Sequence, residues 1–407
     1  MLVRNRLPEA DQPALAILAN VQTPYRLHMH RRYAAEIPEL RLWSLYFARV
    51  GHNEGSALDE RIGPVPLGQD YQVRRFPIQW LHEWAIGGRV IRWLKSHPGV
   101  RAVMVLGYLG GTRTRVIRWC FRRRIPVLVW GDSNIRGDRG RGLRAFVKRL
   151  ALPRLLRRCG ACVCCGRLGR EFFLRYGADP SRVFVSPYEP DYRLIREMPP
   201  ERIEQAKQKF GLKNGRRRIV YSGRLSVEKR VDLLIEAFAR VAHQRAKWDL
   251  VIVGGGALEA DLKGRVPQTL RDRLIWTGFL DNQADISAIY RASDVLVLPS
   301  DFEPWALVIN EAVAAGMAVV ASDVVGAAAE LVRDRENGRI FPAGNVNALA
   351  QCLLDVTDTE NTDRYKAAAA PILAEWRRVG DPVQGLRQAL VACGVLPADQ
   401  SALPIAT

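Results

Sequence analysis

The chain has 407 residues, 48% of them hydrophobic and 25% charged, which is too long for one ordinary core and too apolar for a disordered polymer. Its net charge of +19 lies in the first half: residues 1–196 hold 35 Lys and Arg against 15 Asp and Glu, and the remainder holds 26 against 27. No run of ~18 apolar residues is present, so the sequence predicts two α/β domains of roughly 150–200 residues each and no membrane-spanning helix.

Residues 14–21 (ALAILANV) open the chain as a buried strand. That short apolar run is not the layout of a secretion signal, so a cytoplasmic location is expected. Further strands are predicted at 41–47, 102–106, 126–130, 161–164 and 183–186, with helices at 25–37, 113–124 and 167–176. Strands and helices alternating at this pace predict a parallel sheet covered on both faces. His28 and His30 are read as surface residues of the first helix, or as contacts to a substrate, because a metal would need a third ligand that is not evident.

The basic half has two amphipathic stretches. Trp80, Trp84 and Trp93 accompany Arg89, Arg92 and Lys95. Residues 139–158 combine many cations with Leu, Phe and Val at near-helical spacing, until Pro153 is expected to break the helix. Such surfaces suit an anionic membrane face, with nucleic-acid binding or a solvated face over a core as alternatives. Cys159, Cys162, Cys164 and Cys165 lack a second ligand pair and a nearby histidine, which favours a buried strand over a metal site. Neither reading of the seven cysteines suggests a disulfide framework, which suits a reducing compartment.

The polar stretch 197–217 is read as the join between domains. The expected boundaries are 1–197 for the first domain, 198–217 for the linker and 218–360 for the second. The terminal helices, 361–407, are expected to pack back on the first domain. Within the second domain, strands are predicted at 218–222, 249–253, 274–277, 294–298 and 317–321, and helices at 230–243, 256–263, 284–291, 305–315 and 345–355. This is a doubly wound pattern, whose ligands bind beyond the carboxyl ends of the strands.

Three segments lie at such ends. Gly223 to Lys229 (GRLSVEK) offers two cations five residues apart, Arg224 and Lys229, as a diphosphate clamp. Gly254, Gly255 and Gly256 let a ligand approach the backbone before a helix starts, although GGG is not the GxGxxG of a dehydrogenase. In 298–316 (LPSDFEPWALVINEAVAAG), Glu303 and Glu311 lie eight residues apart, roughly 12 Å along a helix, with a helix start between them for phosphates.

Together GRLSVEK, VGGG, ASDVLVLPS, E-P-W followed by N-E-A, AVVASDVVGAAAELV and ENGRIFPAGN resemble the retaining glycosyltransferases of family four, closely over 216–356. The resemblance implies a GT-B fold, in which two Rossmann-like doubly wound domains face a central cleft. It also implies transfer of a sugar, with retention, from a UDP- or GDP-sugar to a glycan or lipid-linked glycan in cell-surface polysaccharide biosynthesis. By the same resemblance Arg224 and Lys229 bind the donor diphosphate, Glu303 the sugar and Glu311 the ribose. Phe279 and Leu280 flank the base through their backbone, and Gly254, Gly255, Trp305, Ala306 and Leu307 complete the donor site. Ala306 stands where the family usually has glycine. Asp132, in the WGDSN that ends a first-domain strand, stands where family members place a histidine or acid near the reacting sugar, with a turn cap as its alternative.

No cofactor and no metal are expected, and no DxD motif is evident. The expected partners are a nucleotide-sugar donor, a glycan or lipid-linked acceptor and an anionic membrane surface on its inner, cytoplasmic face, but not nucleic acid. Two other classes stay open: an epimerase or phosphorylase-like enzyme on the same fold, and a non-catalytic nucleic-acid binder using the basic half.

Overall fold

The computed structural model describes residues 12–21, 23–48, 64–66, 78–138 and 142–398. The first domain runs β1 (Ala14–Val21), α1 (Pro24–Glu36), β2 (Arg41–Ala48), β3 (Pro64–Pro66), α2 (Ile78–Ser96), β4 (Val100–Leu106), α3 (Gly111–Arg123), β5 (Val127–Gly131), α4 (Gly142–Leu156), β6 (Ala161–Cys164), α5 (Arg167–Arg175) and β7 (Val183–Val185). Its seven strands pair in parallel in the order β3-β2-β1-β4-β5-β6-β7. Leu15, Ile17, Leu18, Val103, Val105, Leu128 and Val129 are fully enclosed, as uninterrupted apolar strands must be when helices cover both faces.

Within the segment read as a linker, α7 (Pro200–Lys209), started by Pro199 and Pro200, is helical; it and the preceding α6 (Tyr192–Arg196) lie on the second domain. That domain continues with β8 (Arg217–Ser222), α8 (Val231–Val241), β9 (Trp248–Val253), α9 (Glu259–Gly264), β10 (Leu274–Gly278), α10 (Gln283–Arg291), β11 (Val295–Leu298), α11 (Leu307–Ala314), β12 (Ala318–Ser322), α12 (Ala328–Leu331), β13 (Gly338–Phe341), α13 (Val346–Val356), α14 (Thr359–Val379) and α15 (Pro382–Ala392). Its sheet is parallel in the order β10-β9-β8-β11-β12-β13. In both sheets the order reverses beside a central strand, β1 or β8, which opens a crevice at the carboxyl ends. Of the terminal helices, α14 packs on α11, α12 and β12 of the second domain, whereas α15 crosses over to lie against α1, β6 and β7 of the first.

Several expectations are corrected. Pro153 sits inside α4 and does not end it: near the last turn it forfeits one ladder bond, and the Arg154 guanidinium donates to Leu150 O at 2.6 Å. His30 is buried and not on the surface; its Nδ1 lies 3.1 Å from Ser44 Oγ, and burial lowers its pKa to about 3. Trp93 packs on Trp43 and stacks on His97, and Arg115 lies over Trp84, so these rings serve intramolecular contacts. The side chain of Trp80 and residues 139–141 lie outside the described residues. Cys159, Cys162, Cys164 and Cys165 are all buried around β6. Among the described residues no helix is long and apolar enough to cross a membrane, and no group of three His, Cys, Asp or Glu side chains is arranged to hold a metal.

Candidate active site

The second domain's contribution begins where β8 ends. Its loop, Gly223 to Lys229, packs on the loop after β9 with almost no space between backbones. A Cβ on Gly254, whose φ is 134°, would lie 2.0 Å from Gly223 O. The first role of that glycine is therefore to let two strand-end loops touch, and α9 starts at Glu259 rather than at Gly256. Gly255 faces the Cβ of Phe279, a side chain that is 79% exposed, while Leu280 packs half-buried beside it. Arg224 points into solvent and Lys229 does not: their side chains are 81% and 15% exposed.

The loop after β11 differs from the predicted helix. Residues 303–306 are irregular, Glu303 bridges to Val325, and α11 begins only at Leu307. Eight residues between Glu303 and Glu311 therefore do not measure a continuous helix. Ala306 adopts φ 78° and ψ 79°, a left-handed conformation that costs alanine about 1 kcal/mol relative to glycine. That backbone explains why a glycine would suit the position. The Trp305 side chain is buried against Trp376 and so is not a binding surface, although its carbonyl accepts from Ala327 N at 2.7 Å.

The two predicted roles of Lys229 and Glu303 converge. The ammonium and the carboxylate form an ion pair in which both side chains are largely enclosed. Glu311 is buried one turn into α11, where Gln283 Nε2 donates to it at 3.0 Å and Tyr290 adjoins it. Burial raises its pKa to about 7, against the opposing pull of Tyr290 and Gln283. Glu311 also lines a cavity of about 220 Å³ between the domains, with Leu307, Gln283 and, at α6, Asp191 and Ile195, facing Tyr25 and His28 of α1.

From the first domain, Asp132 follows β5. Burial raises its pKa, and the neighbouring Arg26 opposes that shift. Arg26 is held by Val21 O at 2.7 Å and by Tyr188 Oη at 3.3 Å. In the sequence, Arg26 ends the run Asn20–Arg26, which resembles the family's acceptor-side loop, and Tyr188 lies in 186–193, which stands where the family has a turn leading toward the cleft; sequence reading assigned neither a role. It also passed over Asn134, two residues beyond Asp132. That side chain is buried against the Glu303 loop, donating from Nδ2 to Glu303 O and Pro304 O at 3.0 Å each and to Val324 O at 3.2 Å. Loops at the carboxyl ends of both sheets thus meet at one seam, with Lys229, Glu303 and Glu311 on one side and Asp132 and Arg26 on the other.

Comparison with known proteins agrees with this layout. Residues 202–371 match the family model described as glycosyl transferases group 1. The chain is 32% identical over 183 residues to the lipopolysaccharide core biosynthesis mannosyltransferase LpsB of Rhizobium meliloti, covering 43% of this chain and 50% of that one. It is 32% identical over 217 residues to a D-inositol 3-phosphate glycosyltransferase of Rhodococcus erythropolis, covering 51% and 48%. The matches thus span about half the length of these relatives. Over nearly the whole fold it resembles HepE of Anabaena, solved in complex with UDP and glucose (TM-score 0.72, 19% identity, 94% and 100% coverage). It also resembles WaaG, a glycosyltransferase involved in lipopolysaccharide biosynthesis (TM-score 0.67, 16% identity, 94% and 100% coverage). The two facing doubly wound domains are those of the GT-B fold, and the family likeness to the group 1 glycosyl transferases lies in residues 202–371, chiefly the C-terminal domain.

Proposed function

We propose that the chain is a retaining, metal-independent glycosyltransferase that moves a sugar from a UDP- or GDP-sugar to a glycan or lipid-linked glycan acceptor. The observation that carries this reading is the enclosed Lys229–Glu303 pair just beyond the carboxyl ends of β8 and β11, together with Glu311, which lines the interdomain cavity from α11. Lys229, the exposed and reorientable Arg224 and the start of α11 supply the positive charge that a departing diphosphate needs, so the reading requires no divalent cation. Glu303 takes the sugar hydroxyls and Glu311 those of the ribose. The bond from the anomeric carbon to the diphosphate breaks, the acceptor oxygen bonds to the same face, and its proton passes to a donor phosphate oxygen. On this reading Asp132 and Arg26, just beyond the carboxyl ends of first-domain strands, serve the acceptor side. That HepE is solved with UDP supports a uridine donor, and that LpsB is a mannosyltransferase of lipopolysaccharide cores keeps GDP-sugars and surface glycans in view.

The basic first domain is proposed to dock on the cytoplasmic face of an anionic membrane. On α4, Phe146, Val147 and Leu150 share one exposed stripe, at 59%, 51% and 46% exposure, beside Arg149 and Arg154. The test of the catalytic reading is a thermal-shift and nucleotide-release screen with UDP- and GDP-sugars. One donor class should stabilise the protein and be consumed when a lipid-linked or glycan acceptor is added. Absence of both binding and release across the panel, or an isomerised sugar as product, would refute it.

A further inference from the structure

We propose that Asn134 is a positioning residue that ties closure of the two domains to the placement of Glu303. The inference rests on the glycosyltransferase reading and deepens it. Asn134 lies on the first domain and is 4% exposed, yet every acceptor it serves belongs to the second. A carboxamide has two N–H donors, and here they face three carbonyls, those of Glu303, Pro304 and Val324. Its own oxygen is taken by Gly137 N at 2.7 Å. The reverse orientation would set an oxygen against three oxygens, so the chemistry fixes which way the amide points.

The carbonyls depend on it unequally. Glu303 O also receives Gly326 N at 3.2 Å, but among the described residues no other donor reaches Pro304 O or Val324 O. Pro304 lies within the segment that carries Glu303 and the left-handed Ala306, and Val324 adjoins Val325, to which Glu303 bridges. Neighbouring contacts give the seam its shape without duplicating this role. Arg136 donates to Asp323 O, Arg167 N donates to Glu330 Oε1 at 2.6 Å, and Phe302 fills the space that Gly137 leaves empty. Separation of the domains would strip Pro304 O and Val324 O of their shared donor. The loop is thus fully held only when the acceptor domain is closed over it. A strained conformation persists where its surroundings over-determine it, and Asn134 is the part of those surroundings that the other domain supplies.

The test uses the full chain with Asn134→Asp and Asn134→Ala. Hydrogen exchange of the unliganded protein is the arm that needs no turnover. Amides of 303–308 should exchange at least about tenfold faster in both variants, while those of 217–222 stay as in wild type. With the donor that the screen identifies, kcat should fall by at least about thirtyfold at about pH 8, with UDP or GDP affinity changed by less than about threefold. The pH signature separates positioning from general damage. A carboxylate at 134 faces the carbonyls without a hydrogen, and protonation restores one donor. The turnover of Asn134→Asp relative to wild type should therefore rise about tenfold between about pH 8 and pH 5.5, while that of Asn134→Ala stays flat. Unchanged exchange at 303–308, equal pH dependence of the two variants, or loss of nucleotide binding along with turnover would each overturn the inference. A wild-type protein that turns over no donor would sink the glycosyltransferase reading instead, and the exchange arm would still decide this one.

Discussion

Replacing Glu311 by glutamine should stabilise the protein at pH 8 and leave it unchanged near pH 4.5. The carboxyl is 8% exposed at the wall of the interdomain cavity, and burial raises its pKa from 4.5 to about 7. Between those two values the folded state keeps a proton that the unfolded chain releases. Stability therefore falls as pH rises through this window, and the loss is complete above it. A rise of that size amounts to about 3 kcal/mol. A glutamine at 311 keeps an oxygen for the Gln283 amide, now at 3.0 Å, and removes the buried charge. For a domain of this size the gain is about 6–12 °C in melting temperature at pH 8, shrinking to nothing near pH 4.5. Thermal unfolding of the nucleotide-free variant and wild type across that range is the measurement. Parallel curves, or a variant less stable at pH 8, would refute the assignment of a destabilising buried carboxylate. The same substitution should weaken UDP or GDP binding at pH 8, and wild-type affinity should rise with pH through about 7, because an ionised carboxylate is the better acceptor for two ribose hydroxyls. Opposite effects on stability and affinity are what a binding group held at a structural cost produces.

Arg224→Ala and Lys229→Ala should each lower turnover more than tenfold, yet differ in stability. Arg224 is exposed, so its loss should change stability by less than about 0.5 kcal/mol, whereas Lys229→Ala strands the enclosed Glu303 and should cost about 1–3 kcal/mol in urea titrations. Ala306→Gly should gain about 1 kcal/mol by relieving the left-handed φ of 78°, and an unchanged or lowered urea midpoint would count against strain there. In flotation assays the protein should bind anionic vesicles, lose them as salt rises, and bind more weakly as Phe146→Ser; equal capture by neutral vesicles, or none by either, would contradict docking through α4.

The doubly wound second domain was legible because its strands are short apolar runs closed by Gly or Ser and its helices are amphipathic. Arg224, Lys229 and Glu303 stood in the loops beyond strand ends, where such sheets bind ligands, and Glu311 one turn into the helix that follows. The irregular 303–306 loop was not legible. Glu-Pro-Trp-Ala before an apolar run reads as a helix start, and only contacts distant in sequence, from Val325 and Ala327, hold it out of the helix. β3 was hidden for a related reason: three residues, two of them proline, are a strand only because β2 lies beside them. His30 was misplaced because helical periodicity shows which residues share a face and not which face the sheet covers.

The Lys229–Glu303 pair also bears on how a donor could enter without a large electrostatic barrier. An enclosed ammonium awaiting a diphosphate, or an enclosed carboxylate awaiting a sugar, would each carry the desolvation cost of an unpaired charge. Here each neutralises the other. On the proposed reading the incoming phosphate oxygens replace Glu303 as partners of Lys229, while the sugar hydroxyls replace Lys229 as partners of Glu303. The exchange trades one ion pair and released water for another ion pair and new hydrogen bonds, so neither charge is ever enclosed alone. It works only if the Glu303 backbone stays in place as its side chain changes partners. The contacts from Gly326, Ala327 and Asn134 to the carbonyls of 303–305 act on that backbone and not on the carboxylate, which leaves the side chain free to reorient.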